Sequence, residues 1–570
     1  MYLGVDVGGT HTDAVLLEDG GPGLVRILAS AKAVTKKRAI DSLDAVLSDL
    51  LKGRDPGAVK RLTVSTTLGL NSVLTGTADP VGILTTSGPG LDLDPAQWGP
   101  LFRALPGSQD HRGQVVEAIS PNEAFKAAKE LLDLKALALV VASKFGPKNP
   151  ELENIMLAQA LKAAKENSVH SVKSAQSDQA ALTVPVMAAS KLFGRLNFPR
   201  RLGGAVLNAA VKRLYEDFFD DLTKAATFHG LKCPIYLLKA DGGVMDMPAA
   251  RERPVLALAA GPAASLLGLW ALSGDNSSDD VLMIDMGGTS TDLALLSRGK
   301  PLMTPSGLTL AEKPTLVRGL LTHSLALGGD TDLVMEDGRL VPKPIRRGPA
   351  LALDPSGLGN RSPTLTDAFN VLGLCSLGDT TISKKAFEIL APSRAKEAAS
   401  LAVEAVFERL NTAAKTFIDD VNRQPVYTIS DYLVDWKLKP VRAVFLGGPA
   451  ETLAPLAEKA LSIPSRAPIG AATANALGAA LAKPTMEAQL YADTAMGVLS
   501  APTLGCQRSI GFDYTVTQAK EDLLALMGGG ADLRITAEEC FSQLSEAGRS
   551  GKVIRVAAQS APGLMAGLSA

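Results

Sequence analysis

The sequence predicts an α/β protein built from two related units, with a mainly helical extension at its C-terminal end. Three observations predict this. Short apolar runs ending in glycine turns alternate with helix-period segments. Asp6–Leu17, DVGGTHTDAVLL, returns at Asp285–Leu296 as DMGGTSTDLALL, with eight of twelve positions identical at an offset of 279 residues. The chain has 570 residues, too many for one core at ~100–200 residues per domain.

The elements follow in chain order. YLGVDVGG at the start is a buried-strand pattern entering a glycine turn. In Ala39–Leu51, the residues Ile40, Leu43, Leu47, Leu50 and Leu51 fall on one helical face. LALVVASKF (Leu137–Phe145), IYLLKADGG (Ile235–Gly243), VLMIDMGG (Val281–Gly288) and VFLGG (Val444–Gly448) are further strands. Pro254–Leu272 is the most apolar window, but AGPAAS interrupts it, so it reads as strand, turn and helix rather than a membrane span. Val341–Pro363 has loop chemistry. Ala395–Val421 is an amphipathic helix with Leu401, Val406, Leu410 and Phe417 inward. Ala474–Ala482, ANALGAALA, is a small-residue helix suited to close packing. Beyond Lys483 the chain reads as helical, with TAEE (Thr536–Glu539) spelling a capping box. The divisions predicted are residues 1–175, 195–483 and 484–570.

Composition excludes several classes. Lysine plus arginine number 58 against 59 aspartates and glutamates, so no overall charge draws the chain to nucleic acid or anionic membrane. Aromatics are 4%, too few for stacked single strands. Cys233, Cys375, Cys506 and Cys540, with five scattered histidines, show no metal-ligand spacing. The opening MYLGVDVGG lacks a basic n-region, so reduced thiols and a cytoplasmic location are expected.

The repeated segment has definite chemical capacity. A strand ends in aspartate, two glycines bend the chain, and threonine hydroxyls follow. Glycine permits close backbone approach, and exposed N–H groups with hydroxyls cradle anions. A carboxylate beside phosphate makes sense with a divalent cation between them, and Mg²⁺ binds through one or two carboxylates, waters and phosphate oxygens. Two such hairpins across a cleft would clamp a nucleotide polyphosphate and its metal. Asp6 and Asp285 are the Mg²⁺ candidates. Gly8, Gly9, Thr10, Thr12, Gly287, Gly288, Thr289 and Thr291 are the phosphate contacts. Gly447 and Gly448, in strand–GGP–helix, would lie against a ring or sugar. Asp13 and Asp292 are candidates for orienting water or acting as base; each could equally hold its hairpin together.

The ordered motifs resemble the hydantoinase/oxoprolinase family, A-subunit type, within the actin/Hsp70/sugar-kinase superfamily. They are GVDVGGTHTDAVLLE, VSTTLGLNSVLTG (Val64–Gly76), PVGILTTSG (Pro80–Gly88), RLGGAVLNAAV (Arg201–Val211), ADGGVM, LAAGPAASLLG, IDMGGTSTDLALL and SPTLTDAFNVLG (Ser362–Gly373). The last resembles a Pro-Thr-Val-Thr-Asp-Ala segment that other branches lack. The resemblance covers about residues 1–480 and implies two ribonuclease-H-like (actin-like ATPase) domains around a nucleotide cleft. It further implies ATP and Mg²⁺ as cofactors and ATP-dependent opening of a cyclic amide such as 5-oxoproline, a hydantoin or a lactam. Relatives carboxylate ketones. A B-type partner subunit and an oligomeric state are also expected. Thr366 and Asp367 would contact substrate or brace the cleft, Asp367 being a catalytic candidate; Asn71 and Asn208 are weaker ones. His11, mismatched by Ser290, reads as incidental, and His323 as structural. The turn LALGGDTDL carries Asp330 where the family usually has serine. A nucleotide-driven protein-remodelling ATPase and a small-molecule kinase are the alternatives.

Overall fold

The computed structural model describes residues 1–9, 11–21, 23–35, 39–91, 93, 95–174, 184–273, 279–336, 339–343, 346–423, 437–447, 449–530, 532–544 and 550–568. It is a mixed α/β protein with two principal sheets. The first has seven strands in the order Val244–Asp246, Ile235–Leu238, Arg61–Thr66, Tyr2–Val7, His11–Gly21, Leu24–Val34 and Gly567–Leu568. The second has six: Lys300–Pro301, Thr291–Ser297, Val281–Met286, Arg442–Leu446 and Ser465–Arg466 in order, with Thr322–Leu325 also paired to Thr291–Ser297. In both, an antiparallel hairpin is followed on the far side of its first strand by two parallel neighbours.

Strand alternation explains how each sheet is buried on both faces. Leu3 and Val5 point into one core with Leu43, Leu47, Leu202 and Phe219, which come from helices Ala39–Leu51 and Phe198–Phe228. The opposite face receives helix Ala474–Leu481, whose Ala476 and Ala480 pack with Val15 and Leu17. In the second sheet Leu282 and Ile284 face Val406, Phe407 and Leu410 of helix Ala395–Asn422. Val281 and Met283 face Ala263 and Leu266 of helix Ala260–Ser273. The two inner helices, Ala260–Ser273 and Ala474–Leu481, therefore lie together between the sheets. Their backbones touch where side chains would not fit: a Cβ on Gly268 would stand 1.9 Å from Ala474 O, and one on Gly478 2.1 Å from Ala264 O. The small-residue composition is what permits this approach.

Several expectations need correction. Residues past 484 are not mainly helical. They form a five-stranded antiparallel sheet, Cys506–Ser509, Val498–Ala501, Glu487–Asp493, Ser550–Ser560 and Leu533–Leu544, with one helix, Val516–Leu526, packed on it. The TAEE segment lies inside strand Leu533–Leu544, whose long partner Ser550–Ser560 overrides a local capping preference. A capping box does occur, at Thr515 and Gln518. Pro254–Ala257 is a short 3₁₀ turn, not a strand, and helix Ala260–Ser273 follows it. Leu401 is 43% exposed, because Ala399, Ala402, Val403 and Val406 take the buried face. Strands Ile235–Leu238 and Val244–Asp246 belong to the first sheet, so the division expected near residue 195 does not separate the two sheets. No helix among the described residues is long and apolar enough to cross a membrane.

Candidate functional site

The two repeated segments fold into the same hairpin. In the first, Asp6 pairs with Asp13 and Val7 with Thr12. In the second, Asp285 pairs with Asp292 and Met286 with Thr291. The turns close alike: Gly8 N donates to His11 O at 3.0 Å, and Gly287 N to Ser290 O at 2.8 Å. Gly9, Gly287, Gly288 and Thr289 are exposed at the tips, while Thr12 and Thr291 are buried in the stems. Thr10 and Gly448 lie outside the described residues.

The aspartates at the strand ends are joined through the inner helices. Asn475 Nδ2 donates to Asp6 Oδ2 at 3.1 Å, and Ser265 Oγ donates to Asn475 Oδ1 at 2.9 Å. Ser265 also interacts with Asp285, drawing its carboxyl down. Ser265 and Asn475 thus lie between the two strand-end carboxylates, Asn475 bonded to Asp6 and Ser265 beside Asp285. Burial pushes the Asp6 carboxyl up to about 6, an effect reduced by Asn475 and Ser65 and reinforced by the charges of Asp13 and Asp285. Neither Asp6 Oδ1 nor Ser65 Oγ has a hydrogen-bond partner among the described residues, although Ser65 faces Asp6 across the parallel strand pair. Burial also pushes Asp285 upward, with the Asp292 charge adding to it.

The matched second aspartates have unlike surroundings. Asp13 is paired with Lys32 at 3.1 Å. Asp292 has no such cation among the described residues; burial pushes its carboxyl up, and it accepts from Ser324 Oγ. The difference comes from the neighbouring strand: Leu24–Val34 places Lys32 opposite Asp13, whereas Thr322–Leu325 places Ser324 opposite Asp292.

A loop reinforces the second turn. Gly329 N donates to Gly287 O at 3.0 Å and Asp330 N to Gly288 O at 2.6 Å, while Thr366 N donates to Gly329 O at 2.8 Å. Thr291 Oγ1 donates to Leu327 O at 2.5 Å. Asp330, ion-paired with Arg346 at 2.9 Å, therefore stands at the second turn; its carboxyl is raised by burial and lowered in part by that arginine. Gly447 presses against the same hairpin: its φ is +80°, and a Cβ there would meet Met286 O at 2.1 Å and Asp285 Oδ1 at 3.0 Å. Thr35 performs a similar bracing role at the first turn, donating to Gly8 O at 2.9 Å.

Other candidates stand apart from the relay. Asp367 is fully buried and accepts from Leu351 N (3.0 Å), Ala352 N (3.1 Å), Thr364 N (2.9 Å) and Ser383 Oγ (2.7 Å). Its oxygens are committed to holding a loop and capping helix Leu365–Leu372. Asn208 bridges Glu252 O and Val255 N, a backbone-satisfying role. Asn71 lies beside Gly9, its amide nitrogen 3.4 Å from where a Gly9 Cβ would be. His323 stacks on Phe417 at 5.6 Å. Ser265, Asn475, Ser324 and Arg346 were not foreseen as site residues. The inner helices' small-residue spelling signalled close packing, and their lone polar residues were the available clue.

Among the described residues no three histidine, cysteine or carboxylate side chains gather as a metal cage. The hairpin carboxylates suit a hard cation held mostly by water and ligand oxygens, and the unpartnered Asp6 Oδ1 is an available donor.

Comparison with known proteins decides the family. The hydantoinase/oxoprolinase profile matches residues 201–488, and the hydantoinase/oxoprolinase N-terminal region profile matches residues 2–164. The chain belongs to the hydantoinase/oxoprolinase family. This family member is 25% identical over 394 residues to the caprolactamase subunit alpha of Pseudomonas jessenii, covering 66% of the chain and 55% of the relative. It is 24% identical over 416 residues to the acetophenone carboxylase gamma subunit of Aromatoleum aromaticum, covering 65% and 53%. The chain thus spans about half the length of the curated relatives it matches. Its fold is similar to crystal structures of the ATP-dependent caprolactamase from Pseudomonas jessenii (20% identity) and of nucleotide-free acetone carboxylase (16%). The TM-score is 0.66 for each, over 98% of this chain and 87% of theirs.

Proposed function

We propose that this hydantoinase/oxoprolinase family member is an ATP-dependent hydrolase of a cyclic amide. The observation that carries the proposal is the pair of hairpins of identical register whose strand-end carboxylates are joined through Asn475 and Ser265. The common strand order of the two sheets supports two ribonuclease-H-like, actin-like units with ATP between them. Each sheet supplies one hairpin, and the strands between Glu487 and Ser560 form an appended sheet. The relatives named as an ATP-dependent caprolactamase and as carboxylase subunits support ATP as co-substrate and a partner subunit of B type.

In this proposal the turn amides of Gly9 and Gly288 would hold the phosphate oxygens, while the Gly8 and Gly287 amides close the turns. Asp6 and Asp285 would hold Mg²⁺, which when bound would neutralise charge at the phosphates. The amide oxygen of the substrate takes the γ-phosphoryl group and ADP leaves. Water then adds to the activated ring carbon, the C–N bond breaks with a proton passing to nitrogen to leave an acyl phosphate, and a second water releases phosphate and the free carboxylate. Asp292, with no lysine partner among the described residues, would orient or deprotonate the attacking water, and Asp13, paired with Lys32, would brace its hairpin. Asp367 braces the loop behind the second turn. Carboxylation of a ketone is the competing chemistry, and it would make turnover depend on bicarbonate. The test is ATP turnover with a panel of lactams, hydantoins and 5-oxoproline, with and without bicarbonate. Stimulation by a cyclic amide in the absence of bicarbonate is expected. Stimulation only by ketone with bicarbonate, or only by a protein partner, would overturn the hydrolase assignment.

A further inference from the structure

A second site lies away from the hairpins. A cavity of about 550 Å³ opens between the first sheet's edge and the C-terminal five-stranded sheet, and none of the hairpin residues lines it. That volume is within the range of small-molecule pockets. One wall carries a buried ionic cluster. Lys239 Nζ donates to Thr485 O at 2.7 Å and pairs with Asp241 Oδ2 at 3.3 Å. Asp241 also accepts from Thr485 Oγ1 at 2.8 Å and Gly243 N at 2.9 Å. The guanidinium of Arg318, whose side chain is only 10% exposed, donates Nη2–H to Ser560 O at 2.8 Å. Its Nε stands 3.9 Å from Asp241 Oδ2, beyond hydrogen-bond reach.

Two cations thus share one carboxylate, leaving a net positive charge in a desolvated wall. Arg318 Nε and Nη1, and Thr503 Oγ1 elsewhere on the lining, have no hydrogen-bond partner among the described residues. Unpaired buried donors on a charged group are costly unless something accepts from them. Guanidinium groups match carboxylates geometrically. The remaining lining carboxylates, Asp246, Glu252, Glu487 and Asp532, are all exposed, so none neutralises the interior charge. The rest of the lining is mixed: Phe193, Leu256, Leu504 and Met527 give it an apolar part beside Arg195, Arg253, Gln489 and Gln559.

We propose that this cavity binds a small organic acid, its carboxylate on Arg318 and its apolar body against Phe193, Leu504 and Met527. The site is separate from the nucleotide hairpins, and its occupancy does not rest on the hydrolase assignment. Removing the Arg318 charge leaves Lys239 and Asp241 as a neutral pair, so Arg318→Met keeps the wall balanced. Leu504 is only half-buried, so Leu504→Trp fills the cavity without touching the ionic cluster.

The experiment is calorimetric titration of the full chain with butanoate, hexanoate, octanoate and benzoate, each beside its primary amide. At least one acid should bind, with its amide at least about tenfold weaker, as expected for loss of a charge-assisted hydrogen bond. Arg318→Met should weaken the acid by a similar factor. Leu504→Trp should abolish binding at an unchanged melting temperature, and Asp285→Asn should leave it intact. The proposal is overturned if no acid binds, if amide and acid bind equally, or if Leu504→Trp retains binding. That last result decides the matter even where Arg318→Met fails to fold.

Discussion

Asn475 Nδ2 donates to Asp6 Oδ2 at 3.1 Å, linking residues 469 apart in the chain. Through Ser265 the same asparagine reaches Asp285 on the other hairpin. The two strand-end carboxylates are therefore electrostatically coupled before any ligand is considered. Removing Asn475 takes away the hydrogen bond to Asp6 Oδ2 that holds its carboxyl down. Asn475→Ala should move the acidic limb of the ATP-turnover profile upward by about one pH unit. A pH–rate profile with an unmoved acidic limb would show that the contact has no influence on the working carboxylate.

The charge on Asp6 has a predictable effect on stability. Its carboxyl titrates at about 6 in the fold, against 3.8 as its ordinary value. Between those values the folded chain binds more protons than the unfolded one, so stability falls as pH rises from about 4 to about 6 and remains lower above that. The two-unit displacement corresponds to about 2–3 kcal/mol. In metal-free buffer Asp6→Asn should raise the urea midpoint at pH 8 and leave it nearly unchanged at pH 4. An equal change at both pH values would mean that buried charge is not the cause.

Much of this arrangement was legible in the sequence, for physical reasons. Short apolar runs ending in glycine turns mark buried strands, so Tyr2–Val7 and Val281–Met286 emerge from local pattern alone. The relay did not, because Ser265 and Asn475 lie 210 residues apart in alanine-rich helices whose spelling signals only packing. The C-terminal sheet was misread because Leu533–Leu544 is rich in residues that also favour helices, and its strand state depends on pairing with Ser550–Ser560. Asp292 and Asp13 looked equivalent in sequence. Their difference lies on neighbouring strands, in Lys32 and Ser324.

Gly447 is held at a φ of +80° with no room for a side chain beside Met286 O. Gly447→Ala combines left-handed strain with a backbone clash and should cost about 2–4 kcal/mol. It should also displace Asp285, lowering ATP turnover more than the fraction unfolded explains. Thermal melts with activity per folded molecule check both parts.

Asp367 offers a contrasting case. Its carboxylate is consumed by five donors from loop and helix. Asp367→Asn should lower stability by about 2–4 kcal/mol through lost charge-assisted bonds. Turnover per folded molecule should remain within a few-fold of the parent. A loss of more than about a hundredfold in kcat with an unchanged melting temperature would return Asp367 to the chemistry.

The central claim is that the two hairpins grip one nucleotide together. A double-mutant cycle measures this directly: binding of a non-hydrolysable ATP analogue with Mg²⁺ to the parent chain, Asp6→Asn, Asp285→Asn and the double variant. Each single change should weaken binding at least about tenfold, and the double variant should lose clearly less than the two losses added, by about 1 kcal/mol or more. Strict additivity, or a single variant that binds like the parent, would contradict a shared site.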